Sequence, residues 1–181
     1  MNRFNTHYKK VISYDLISKF NYKNSFELPN IKEISINMSS FKLAHDKRQI
    51  IPLLTAIELI SGQRGKLTFS KKNKIHLKIK EGMVMGCKVT LNKKNSYDFL
   101  ESLIVFVFPN LKEFKGITIN DKSPSIISFK IDDPLNFFEL NNEFLNFSKL
   151  PPVNITIKTD SKTVNETKVL LSYFNFPIEK K

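Results

Sequence analysis

The chain has no tryptophan, a single cysteine, five glycines and only two alanines in 181 residues. One cysteine excludes an intramolecular disulfide framework and a cysteine-built zinc site, and it points to a reducing compartment. No apolar run approaches the roughly 18 to 20 residues that cross a bilayer. Leu103 to Phe108 is apolar but short, and Pro109 closes it. The amino terminus lacks the apolar core of a signal peptide and carries Asp15 within its first helical pattern, so neither secretion nor a retained transit peptide is expected. Acids are also scarce. Seventeen Asp and Glu stand against 29 Lys and Arg, a formal charge of +12.

That balance favours a polyanionic partner. With only three arginines, the remaining 26 of the 29 cations are lysines, and Asn, Ile and Phe are abundant. Such a bias suits an A+T-rich coding genome, so clustering is a better signal than net charge. The clearest cluster is Arg64 to Lys80, 17 residues with seven Lys or Arg, one His and no acid. Uncompensated cations at this density are stable beside solvent or an external polyanion, and the chemistry indicates RNA.

Periodicity predicts an amphipathic helix over 5–20, carrying Tyr8, Val11, Ile12, Leu16 and Phe20, and a half-buried strand at Ile34, Ile36 and Met38. Asp46 is placed to cap a second helix, with Pro52 setting a kink or a start near residue 51 and Gly62 as its stop. Leu67 and Phe69, and then Ile75, Leu77 and Ile79, alternate with polar residues as strand or extended loop, a mobile basic arm. Met85, Cys87, Val89 and Leu91 form a cleaner strand. Asn95 or Ser96 is placed to cap a helix ending before Pro109. Further strands are expected near Ile126–Ile131 and at Val153, Ile155 and Ile157, with a last helix over Ser161 to Phe174. Helices and strands intermingle without βαβ repeats, which predicts an α+β two-layer fold in one domain.

If those strands share a sheet, one face is apolar and the other displays Asn37, Lys88, Thr90, Thr156 and Lys158. Amides, hydroxyls and cations suit sugar, phosphate and base-edge contacts. His7, His45 and His76 have no second ligand at useful spacing, so no metal is expected. Cys87 falls on the apolar face as a core residue. Asp132-Asp133 before Pro134 reads as turn chemistry, and no nucleotide-binding, nucleophile or metal motif is present. The chain reads as no enzyme and as needing no cofactor.

Several segments then form an ordered pattern. Phe20-Asn21-Tyr22 leads to Pro29-Asn30-Ile31-Lys32-Glu33-Ile34-Ser35-Ile36-Asn37-Met38, Ile60-Ser61-Gly62-Gln63, Glu81-Gly82-Met83 and Gly86-Cys87-Lys88-Val89-Thr90-Leu91. Tyr97-Asp98-Phe99-Leu100, Pro109-Asn110-Leu111-Lys112-Glu113-Phe114-Lys115-Gly116 and Asn175-Phe176-Pro177 follow. In order and spacing these resemble the large-subunit ribosomal protein five family, the bacterial-type 5S-RNA-binding protein.

The resemblance implies an open, mostly antiparallel sheet with helices packed on one face, seated in the central protuberance of the large subunit. It implies contacts to 5S and large-subunit ribosomal RNA at Asn37, Gln63 and Thr90, with Lys88, Arg64 and Asn21 beside them. The loop bearing Lys71, Lys72, Asn73, Lys74, Lys78 and Lys80 would face P-site tRNA. The region after Gly116 would meet a small-subunit head protein among other ribosomal neighbours. Ser39 and Phe41 replace two family glycines after Asn37-Met38, and Asp121-Lys122-Ser123-Pro124-Ser125 replaces a glycine-rich loop. Such divergence resembles an organelle-encoded copy, mitochondrial in the first instance, with a plastid or a bacterial cytoplasm as alternatives. A non-ribosomal RNA-binding module or RNA chaperone is the competing function.

Overall fold

The computed structural model describes residues 3–112, 114, 116–119, 123–141 and 144–179. Five strands form one sheet in the order β2-β3-β1-β5-β4. They are β1 (Ile31–Ser39), β2 (Lys66–Phe69), β3 (Val84–Asn92), β4 (Ile126–Ile131) and β5 (Val153–Thr159). The sheet is antiparallel and open, as expected for an α+β fold.

Alternation dictates which residues enter the core. Ile34, Ile36 and Met38 on β1, and Cys87, Val89 and Leu91 on β3, are buried. Val153, Ile155 and Ile157 on β5, with Ile127 and Ile131 on β4, are buried in the same period-two pattern. Each fully buried aliphatic side chain contributes about 1.5–3 kcal/mol.

The chain divides into two compact units. The first comprises Met1–Ile34, Leu91–Phe129 and Thr156–Lys181, and the second Ser35–Thr90 and Lys130–Ile155.

In the first unit the amino-terminal helix runs over 3–19 with a wider π turn at Tyr8–Ile12. Ile12 and Leu16 are buried, and Tyr8 donates its hydroxyl to the Pro29 carbonyl (3.0 Å). The helix Lys94–Ser102 departs from expectation at its start. Neither Asn95 nor Ser96 is its N-cap; Lys93 holds that position with positive φ, and the Ser96 hydroxyl turns back to the Lys93 carbonyl (2.6 Å). Nor does the helix end before Pro109. A π turn at Leu103–Val107 widens the hydrogen-bond spacing just ahead of it, and the helix continues through Phe108–Asn110 although proline has no N–H to donate.

Phe108 stacks on Phe114 and meets Phe176 edge-on. The last helix, Val164–Tyr173, opens with a capping box in which Thr163 and Glu166 satisfy each other's backbone N–H groups.

In the second unit, Asp46 caps a short 3-10 turn by accepting the Arg48 N–H (3.1 Å), and the helix proper is Ile50–Ser61. Gly62 ends it at φ +64°, the left-handed conformation of a C-cap. Asp133 likewise accepts the Leu135 N–H (3.0 Å), so this acid does shape a turn.

Candidate nucleic-acid interface

The candidate surface lies in the second unit and begins with a close approach. Gly65 has room for no side chain: a β-carbon there would collide with the Cys87 sulfur and crowd Leu54 and Ile57. The helix Ile50–Ser61 therefore lies close on the apolar side of the sheet. The segment from Gln63 to Phe69 is drawn tight along β3. Cys87 is a buried core residue with its thiol pushed up by burial, which argues for packing over reactivity.

Pairing of β2 with β3 then fixes the polar side. Lys66 lies opposite Lys88, and Thr68 opposite Gly86. Between β3 and β1, Gly86 packs against Ser39, and the Ser40 N–H reaches the Met85 carbonyl (3.0 Å). Antiparallel pairing in that register steps Lys88 to Asn37 and Thr90 to Ser35. Asn37, Lys88 and Thr90 thus share one surface, as their alternation predicts. Lys66 and Thr68 complete it from β2.

The Asn37 side-chain oxygen is buried with no hydrogen-bond partner among the described residues. Such an acceptor costs about 1–3 kcal/mol unless something outside the chain donates to it. Gln63 is half-buried, and its backbone is held by the Ser61 hydroxyl on both sides (3.2 Å to its N–H, 3.0 Å to its carbonyl). Its side-chain amide has no partner among the described residues. Arg64, Lys66, Lys88 and Thr90 are exposed.

Several cations of the first unit are neutralised within the chain. Lys158, Lys32 and Lys162 in the first unit bind Glu33, Asp160 and Glu27 at 3.5, 3.3 and 2.9 Å. Thr156, also expected on the polar face, is occupied by the Ser128 hydroxyl (3.1 Å). Arg64, Lys66, Lys71, Lys72, Lys74, Lys78, Lys80 and Lys88 make no ion pair with any described residue. Asn21 belongs to the first unit and is exposed.

The basic segment is not the extended arm its alternation suggested. Lys74 bridges Ile79, and a 3-10 turn over Ile75–Leu77 is closed by Lys78 at φ 52°. His45 Nε2 meets the Leu77 carbonyl (3.1 Å), and Asn73 Oδ1 accepts the Glu81 N–H (2.6 Å). A register shift after Thr68 turns Phe69 outward, to 56% exposure, although its alternation placed it on the apolar side. Lys71, Lys72, Asn73, Lys74, Lys78 and Lys80 are all exposed.

Lys66 and Thr68 escaped the sequence reading as site residues. Their alternation was visible, but the strand they would face was not. Residues 120–122, part of the stretch assigned to a small-subunit contact, lie outside the described residues.

Residues 84–178 match the model for the C-terminus of the ribosomal protein five family. Over 184 residues, spanning all of both chains, the protein is 40% identical to "Large ribosomal subunit protein uL5m" of Reclinomonas americana. The chain belongs to the ribosomal protein five family. It is a structural constituent of the large ribosomal subunit and not an enzyme. For a member of this family, a cation-rich surface left without internal counter-charges is the expected companion of ribosomal RNA.

Proposed function

We propose that the surface of Asn37, Gln63, Arg64, Lys66, Lys88 and Thr90 binds 5S ribosomal RNA in the central protuberance. One observation carries the reading: unpaired lysines stand beside an orphaned, buried amide oxygen on a single face. The lysines supply phosphate attraction, and the neutral polar groups supply donors and acceptors that a solvated surface would not bury. No stacking aromatics stand among these residues, which fits recognition of folded RNA by its shape and backbone.

The turn over 71–80 would face P-site tRNA, and the region after Gly116 a protein of the small-subunit head. Asn21 would contact RNA from the first unit. Kinship with uL5m of Reclinomonas americana, together with the A+T-rich coding bias, supports a mitochondrial ribosome as the setting.

The test is binding of a 5S RNA transcript across a salt series, together with sequencing of the RNA that co-purifies. We expect 5S RNA in the purified fraction and affinity falling as a steep power of salt, by about 0.7–0.9 per neutralised phosphate. The double change Asn37→Ala with Thr90→Ala should weaken binding at least about tenfold. Salt-insensitive binding, or indifference to that double change, overturns the assignment.

A further inference from the structure

The turn between β2 and β3 holds apolar side chains out in water. Ile75 is 88% exposed and Leu77 43%, with Phe69 exposed at the root of the turn. Poor folding does not account for this. The turn is closed by the Lys74–Ile79 bridge, by His45 on Leu77, and by the Ser70 N–H on the Met83 carbonyl (2.8 Å). Ile79, four residues on, is buried.

Beside Ile75 opens a groove of about 550 Å³, lined by Asn73, Ile75, Lys78, Ile79, Lys80 and Glu81. That volume falls in the range of small-ligand pockets. Its lining combines three chemistries. Ile75 and Ile79 offer an apolar wall and floor. Asn73 uses its oxygen on the Glu81 N–H and so keeps its amide donors for a ligand. Glu81 adds a carboxylate acceptor that no described cation neutralises, and Lys78 and Lys80 stand ready for phosphate.

We propose that this groove takes one unstacked nucleotide of an RNA: the base against Ile75, its donor-bearing edge at Glu81, its phosphate at Lys78 and Lys80. An amino or imino edge, as in guanine or cytosine, suits the carboxylate. RNA is favoured over a protein partner because Lys78 and Lys80 line the groove and Lys71, Lys72 and Lys74 lie on the same turn of the chain, with Glu81 as the acid in the lining. The inference rests on the reading that this turn meets RNA, and adds a packing contact to a segment so far credited with charge alone.

Packing and charge respond differently to salt, so they can be separated. The full-length protein is titrated with a deacylated tRNA transcript at several salt concentrations. Ile75→Ser should lower affinity about five- to thirty-fold, as loss of a base contact does, with the salt slope unchanged. Ile75→Phe should retain binding. Lys78→Gln with Lys80→Gln should instead flatten the slope by about 1.5. Glu81→Gln should change which bases are preferred in short oligonucleotide competitors.

If the lysine changes weaken binding and Ile75→Ser does not, the groove is refuted while the RNA-facing turn stands. If neither acts, both fall. Equal loss of slope in Ile75→Ser and the lysine variant would mean the turn had collapsed, and would also overturn the groove. Ile75 is exposed, so circular dichroism of Ile75→Ser should match the parent.

Discussion

Lys66 and Lys88 stand directly opposite each other on β2 and β3, both exposed and neither held by an acid among the described residues. Like charges in that relationship repel, and cross-strand pairs of this kind contribute roughly 0.2–1 kcal/mol in either direction. A phosphate seated between them would turn a repulsion into two attractions. Lys88→Gln should therefore act with opposite signs on the free protein and on the complex. Urea midpoints should stay level or rise slightly. Affinity for 5S RNA should fall and the salt slope should flatten by about 0.7–0.9 for the lost contact. A variant that binds with undiminished slope would remove Lys88 from the interface.

Asn37 tests the neutral half of the same surface. Its buried oxygen has no partner among the described residues, so Asn37→Ala relieves an unsatisfied acceptor. Thermal and urea unfolding should show the variant equal to, or about 1 kcal/mol more stable than, the parent. RNA affinity should drop about tenfold with the salt slope unchanged, since no phosphate contact is lost. Destabilisation together with intact binding would mean that Asn37 serves the fold alone.

These two residues also show what the sequence discloses. Alternation placed Ile34, Ile36 and Met38 inside and Asn37 outside because a pleated strand has a fixed period. It placed Lys88 and Thr90 together for the same reason. It could not name Lys66 as the neighbour of Lys88, because strand pairing is a long-range relationship that local pattern does not encode.

The segment at 74–80 misled for a related reason. Ile75, Leu77 and Ile79 alternate as a strand would, yet left-handed Lys78 and the bridge from Lys74 close them into a turn. A non-glycine residue at positive φ is uncommon, and lysine gives no warning of it. The N-cap at Lys93 was missed similarly, with Asn95 and Ser96 offering better caps by residue type than the chain uses.

Gly65 links the core to the surface. A methyl group there would strike the Cys87 sulfur and press on Leu54 and Ile57. Gly65→Ala should therefore cost about 1–3 kcal/mol, the usual range for overpacking. Because the closest obstruction is a side chain, Cys87→Ala should open space for it. In a double-mutant cycle by urea denaturation, the two changes together should be less harmful than their sum. Strict additivity would place the strain in the backbone instead. Gly65→Ala should also weaken RNA binding if it pushes Arg64 and Lys66 away from β3, and Cys87→Ala should restore part of that loss.

The first unit should reveal itself in alkali. Burial pushes the Tyr22 hydroxyl up to about 12, with the charges of Glu166, Tyr8 and Glu27 adding to the effect. Burial also raises Tyr97, whose hydroxyl bonds to Asn30 Oδ1, and Tyr8, whose hydroxyl bonds to the Pro29 carbonyl. A raised folded pKa means that the unfolded chain loses its proton first. The stabilisation from these neutral phenols is thus complete below about pH 10, the unperturbed tyrosine value, and drains away as pH climbs through the folded value. For Tyr22 the window runs from about 10 to about 12. The phenolate absorbance of these three tyrosines near 295 nm should rise late, in step with loss of structure by circular dichroism. Tyr22→Phe also removes a buried hydroxyl that has no partner among the described residues. It should leave stability at neutral pH unchanged or higher by about 1 kcal/mol. It should also make the urea midpoint less sensitive to pH across that window. A titration in which all phenols ionise near pH 10 while the fold persists would show that these rings are not shielded from water.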